Sequence, residues 1–172
     1  MVKCKTKLYL MMGCAGSGKS TYLKTRFSQR PLAVISRDEI RFSMVKEDEE
    51  YFSHENEVYA EFIQQIKDAL DFNTEVFADA THLNWKSRQK LLKALASKVD
   101  MTWIDVIPVV VTANLETCLK RNSQRTGRAY TPESVIRRMS YQLTDPAKDN
   151  YKYKTIWYVT NEEELKVEHR YV

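Results

Sequence analysis

The chain has 172 residues, 43% apolar and 29% charged, a balance that suits one globular domain and is too apolar for a disordered chain. No apolar run approaches the roughly 20 residues that cross a bilayer, so a membrane-spanning helix is excluded. Three cysteines, Cys4, Cys14 and Cys118, are an odd count without a CxxC pair, which argues against a disulfide framework or a zinc site and for a reducing compartment.

Apolar stretches of strand length recur at Leu8–Met12, Leu32–Ile35, Glu75–Ala78, Thr102–Val111 and Thr155–Val159. Helical periodicity lies between them. In Phe52–Leu70, the residues Val58, Phe62, Ile63, Ile66 and Leu70 share one helical face. In Trp85–Val99, Trp85, Leu91, Leu92, Leu95 and Val99 do the same. Thr131 followed by Pro132 reads as an N-cap with proline at the first helical position, opening a helix through Leu143. Strands alternating with helices predict an α/β fold with a mainly parallel sheet. The acidic run Glu47–Glu50 reads as a solvated loop or helix start. Lys3, Lys5 and Lys7 precede an apolar core of about five residues, too short for a secretory signal. A cytoplasmic, single-domain protein is therefore expected over residues 1–172.

Only four glycines occur, and Gly13, Gly16 and Gly18 fall together. The segment Gly13-Cys14-Ala15-Gly16-Ser17-Gly18-Lys19-Ser20, with Thr21 behind it, matches G-x-x-x-x-G-K-[ST]. It follows the first strand and opens a helix, which is the context this motif requires. Backbone amides freed by glycine conformations form an anion-sized nest, and the helix N-terminus adds partial positive charge. Lys19 is placed to bridge the β- and γ-phosphates and the Ser20 hydroxyl to hold Mg²⁺. A nucleoside triphosphate, ATP or another, is the expected ligand. Cys14 reads as a small residue of the loop, where oxidation would block nucleotide binding.

The basic excess is local. Leu115–Ser140 holds six basic residues (Lys120, Arg121, Arg125, Arg128, Arg137, Arg138) and two acids, which leaves 21 of each sign elsewhere out of totals of 27 and 23. A solvated helix face and an anion-binding lid both fit this concentration. A guanine-reading N-K-x-D is absent, and the third strand ends Asp79-Ala80 rather than in the Asp-Glu of a motor. A kinase therefore fits better than a hydrolysing switch. After the second strand comes Ser36-Arg37-Asp38-Glu39-Ile40-Arg41, at the strand end where α/β folds place ligands. Asp38 is a candidate base for an acceptor hydroxyl, and Arg41 shares its helical face. A capped helix start explains the same spacing. His54 and His169 read as surface or satisfied histidines. Tyr151, Tyr153, Trp157 and Tyr158 alternate like strand residues, so packing explains them better than base stacking.

Taken in order, G-C-A-G-S-G-K-S-T, R-D-E-I-R, D-A-T-H-L-N and K-R-N-S-Q-R followed by V-I-R-R-M resemble the kinase domain of phage-type polynucleotide 5′-hydroxyl kinases, over roughly Leu8–Leu143. The resemblance implies an adenylate-kinase-like P-loop fold with a small helical lid at about residues 121–140. It implies Asp38 as general base and Arg41 on the acceptor phosphate. Asp79, with Thr81 and His82, would form the acceptor side. Arg125 would stabilise the transferring phosphoryl group, with Arg121 nearby on the nucleotide. His82 stands where that family carries an amide, and no D-x-D-G-T of a phosphatase domain occurs. The expected substrates are nucleic acid 5′ ends, DNA or RNA, with no membrane partner. A P-loop kinase of a small molecule (a sugar nucleotide or an antibiotic) and a non-catalytic nucleotide-binding module are the alternatives.

Overall fold

The computed structural model describes residues 5–27, 32–162 and 165–171; Lys3 and Cys4 lie outside them. The chain runs β1 (Thr6–Met12), α1 (Lys19–Phe27), β2 (Leu32–Ser36), α2 (Arg37–Met44), α3 (Glu55–Asp71), β3 (Glu75–Asp79), α4 (Trp85–Ala96), β4 (Ile104–Thr112), α5 (Leu115–Ser123), α6 (Glu133–Gln142), β5 (Thr155–Asn161) and β6 (Leu165–Tyr171). The strands form one sheet in the order β2-β3-β1-β4-β5-β6. Its first five are parallel, and β6 returns antiparallel to β5. This is the P-loop NTPase fold.

β1 is central and apolar on both faces, as a parallel strand covered by helices must be. Leu8, Leu10 and Met12 pack with Val58, Phe62, Ile66, Leu91 and Leu95 of α3 and α4. Tyr9 and Met11 face the opposite way, onto Tyr22, Leu23 and Phe27 of α1. There Tyr9 stacks on Phe77 with ring centroids 4.2 Å apart. Burying each such side chain contributes about 1.5–3 kcal/mol, so β1 and the loop at its end rest on fully buried core.

Several boundaries differ from the sequence pattern. The third helix starts at Glu55 rather than Phe52, because Tyr51–His54 form turns that project the two aromatic rings outward. The fourth strand starts at Ile104: Asp100 accepts from the Thr102 amide at 3.0 Å and holds Met101–Trp103 in a 3₁₀ turn. The fourth helix stops at Ala96, with Ser97 as its C-cap. Thr131 is not the N-cap of α6, a position Pro132 occupies without a side-chain bond. Its backbone is claimed by Asn122, whose amide accepts from Thr131 N at 3.0 Å and donates to Thr131 O at 2.7 Å. The acidic run Glu47–Glu50 lies in the α2–α3 loop.

Candidate active site

The glycine loop spans the end of β1 and the first turn of α1, at the carboxyl end of the sheet. Gly16 has φ 83°, and a Cβ there would run into the Cys118 carbonyl of α5. Glycine is required both by the backbone angle and by this close approach. Cys14 packs with Cys118 and Ile136 of α5 and α6, so the loop is braced by these two helices. The two sulfurs are 3.4 Å apart. The contact with Cys118, aided by the Lys19 charge, lowers the Cys14 thiol to about 7, while Cys118 is pushed up.

Lys19 donates to the carbonyls of Gly13 at 2.9 Å and Cys14 at 3.0 Å. Burial holds its ammonium below the usual lysine value, against the pull of Asp79. Burial likewise raises Asp79 at the end of β3, against the pull of Lys19. Lys19 also feels the charges of Asp38 and Arg125. Three other residues singled out in the sequence, on β3, on α2 and in the loop after α5, thus lie within electrostatic reach of Lys19 on α1.

Ser20 and Thr21 are exposed in the first turn of α1. Among the described residues, no cluster of three His, Cys, Asp or Glu side chains is built to hold a metal. The oxygen chemistry present, one Ser20 hydroxyl beside an anion nest, fits Mg²⁺, which binds through one or two side chains plus substrate phosphates.

At the end of β2, Ser36 caps α2 by accepting from Glu39 N at 3.3 Å. This places Asp38 in the first turn, its side chain 67% exposed. Its Oδ1 accepts from Arg41 Nη1 at 2.5 Å and from the Tyr51 hydroxyl at 3.1 Å. Arg41 is 4% exposed; its Nη2 donates to Glu55 Oε2 at 2.8 Å, and Arg37 bonds the other Glu55 oxygen. The cap and the catalytic reading of Asp38 are therefore not exclusive: the cap is Ser36, and the carboxylate stands free of it.

Thr81 O accepts from Gly13 N at 3.3 Å, joining the loop after β3 to the phosphate loop. His82 does not face the opening. Its ring is 6% exposed, against Phe62, at φ 39°. Its carbonyl accepts from Arg88 at 3.0 Å, and Arg88 is completely buried in a bidentate pair with Asp149. Neither Arg88 nor Asn122 was marked by sequence reasoning. The only available signals were an arginine inside an amphipathic helix and an asparagine near a helix end.

Burial lowers the His82 imidazole from 6.5 to about 3. Between those values the unfolded chain binds a proton that the folded chain refuses. The stability that His82 contributes is therefore fully present above pH 6.5 and is lost as the pH drops toward 3, by about 1.4 kcal/mol per unit. His82→Asn keeps a residue that tolerates positive φ and should flatten the loss. Urea midpoints at pH 7 and pH 5 test it; an equal acid-induced drop in the variant would show that His82 is protonated in the fold.

The segment expected to form a lid begins in the last turn of α5. Arg121 Nη1 donates to Gly16 O at 3.4 Å, while Arg125 is exposed beyond the helix. The turn Gly127–Ala129 follows, and Arg128 reaches across to the Phe42 and Val45 carbonyls at the end of α2, at 3.4 and 2.8 Å. The arginine segment is thus tied at one side to the phosphate loop and at the other to the helix that carries Asp38.

Residues 8–146 match the AAA domain family. Similar solved structures include the RNA repair complex of Pnkp1, Rnl and Hen1, with 23% identity and a TM-score of 0.69 over 81% of this chain. The match spans 44% of that partner chain. A fungal RNA kinase is 14% identical, with a TM-score of 0.62 over 95% of this chain and 81% of its own. A gluconokinase from Sinorhizobium meliloti 1021 is 17% identical, with a TM-score of 0.56 over 91% of this chain and 83% of its own. No curated protein matches the sequence.

Proposed function

Because the chain belongs to the AAA domain family and has a P-loop kinase fold that binds a nucleotide, we propose that it transfers the ATP γ-phosphate to the 5′-hydroxyl end of DNA or RNA. The carrying observation is that Asp79, Asp38 and Arg125 all act through their charges on Lys19, whose phosphate loop lies at the carboxyl end of a parallel sheet. A triphosphate in the loop would have Lys19 and Arg121 on its donor side and the exposed Asp38 carboxylate on the acceptor side. Ser20 would hold Mg²⁺, which when bound neutralises charge on the β- and γ-phosphates.

Asp38 takes the proton of the 5′-hydroxyl as that oxygen forms a bond to the γ-phosphorus. The bond from phosphorus to the β-bridging oxygen breaks, and ADP leaves with its electron pair. Arg125 meets the charge spread over the three equatorial oxygens. Asp79 neutralises Lys19 and closes the floor of the site, with Thr81 on the acceptor side. Arg41 orients Asp38 and, with Arg37 and Glu55, fixes the start of α3.

A polyanionic acceptor is favoured by the basic lid that Arg128 holds against α2. The likeness to a gluconokinase keeps sugars in the test. Transfer of labelled γ-phosphate should occur to 5′-hydroxyl oligonucleotides and not to sugars or antibiotics. Labelling of a small molecule alone would overturn the polynucleotide assignment, and labelling of nothing would overturn the kinase.

A further inference from the structure

Two exposed aromatic side chains stand by the partners of Asp38: Tyr51 bonds its Oδ1, and Phe52 lies against Tyr51. Phe52 is 67% exposed, although burial gives no reason for a large apolar ring in a turn. Its orientation is set nevertheless. Tyr51 meets it edge-on, with centroids 4.8 Å apart and planes at 89°. The Arg41 guanidinium lies 4.7 Å from the Tyr51 ring and 5.4 Å from the Phe52 ring. Tyr51 and Arg41 are the two groups that bond Asp38 Oδ1, so the ring is positioned by the partners of the carboxylate. Phe72 is more exposed still at 83%, but it lies at the far end of α3.

We propose that Phe52 is a stacking platform for the nucleobase of the acceptor's 5′-terminal nucleotide, and so a specificity-determining residue; this rests on the polynucleotide reading above. Every base offers a π-face, so such a contact selects nucleic acid without selecting sequence. The test compares a 5′-hydroxyl oligonucleotide with the same strand made abasic at its first position. In Phe52→Ala the ratio of kcat/KM for the two should fall about tenfold, the worth of one stacked base. Phe52→Tyr should restore it. In Phe52→Trp, indole fluorescence should be quenched by the base-bearing strand and not by the abasic one. If the parent labels oligonucleotides and Phe52→Ala leaves the ratio unchanged, the platform is wrong and the kinase stands. If the parent labels none and Phe52→Trp is not quenched, both are wrong.

A separate observation carries a second inference. Cys14 and Cys118 face each other across the contact between the phosphate loop and α5, 3.4 Å apart and buried. A disulfide brings sulfurs to about 2 Å, so closure needs a shift of only a little over an ångström. The loop has no slack for it: Gly16 already lies against the Cys118 carbonyl, and the Cys14 carbonyl holds Lys19. We infer that a peroxide converts this pair to a disulfide that distorts the loop and switches nucleotide binding off. The Cys14 thiolate attacks hydrogen peroxide, breaking its O–O bond and giving a sulfenic acid and a hydroxide, which takes up the proton the thiol released and leaves as water. Cys118 then displaces the sulfenic oxygen as a second water, so two thiols lose two electrons and two protons to one peroxide. Peroxide treatment should give a Cys14–Cys118 crosslinked peptide and at least a tenfold loss of ATP affinity, both reversed by dithiothreitol. Cys118→Ser should bind ATP like the reduced parent and form no crosslink. A crosslink with unchanged ATP affinity, or oxidation without a crosslink, would overturn the switch.

Discussion

Asp38→Asn should slow phosphoryl transfer to a 5′-hydroxyl oligonucleotide by about 10²–10⁴-fold, the usual cost of losing a general base. The substitution keeps the oxygen that accepts from Arg41 and Tyr51, so the start of α2 should hold its shape. The cap of that helix is Ser36, not Asp38, and an exposed side chain contributes little packing. Stability and ATP–Mg²⁺ affinity should therefore barely move. Calorimetric ATP binding beside a single-turnover transfer assay separates these effects. Transfer at the parent rate would make Asp38 a structural anchor for Arg41 and Tyr51, with the base elsewhere.

Arg125→Ala should cost about 10³-fold in kcat with a small change in the KM for ATP. An arginine that meets the phosphoryl group as charge spreads onto its oxygens acts in the transition state, and arginines of this kind carry that magnitude. The side chain is exposed beyond α5, so its removal leaves no cavity and no unpaired buried group. Arg121 is different, because it already donates to Gly16 O and so belongs to the loop. Its loss should raise the KM for ATP. Steady-state kinetics of the two variants should split in this way; a raised KM with unchanged kcat for Arg125→Ala would assign it to ground-state binding.

What was legible in the sequence was local. The phosphate loop is read from eight adjacent residues because its conformation depends on glycines and on one strand–helix junction. The helical periods of α3 and α4 were visible because each buries one continuous face. Nothing local announced β6, whose charged, alternating residues gain a partner only when the chain turns back beside β5. Asn122 and Arg88 were missed for the same reason, since their partners lie nine and 61 residues away. His82 looked like a group for the opening through its neighbour Asp79, but its positive φ turns the ring into the core. Arg41 looked free for a phosphate. It is held from two sides by carboxylates, one of them on a helix that begins 14 residues later. Burial and long-range pairing decide such side chains, and a motif carries neither.

The phosphate loop is held by its oxygens. Gly13 and Cys14 carbonyls accept from Lys19, Gly16 O from Arg121 and Gly18 O from Asn161. Each donor comes from the side chain of a residue that packing or a helix already fixes. Ordering the backbone of such a segment costs about 1–2 kcal/mol per residue, and here folding has met that cost before any ligand arrives. An incoming triphosphate has only to draw Lys19 off two carbonyls; it does not have to organise a coil. Its contacts with the loop amides then go into affinity undiminished by an entropy of ordering, and the rate of capture is set by diffusion and charge, without a slow refolding of the loop.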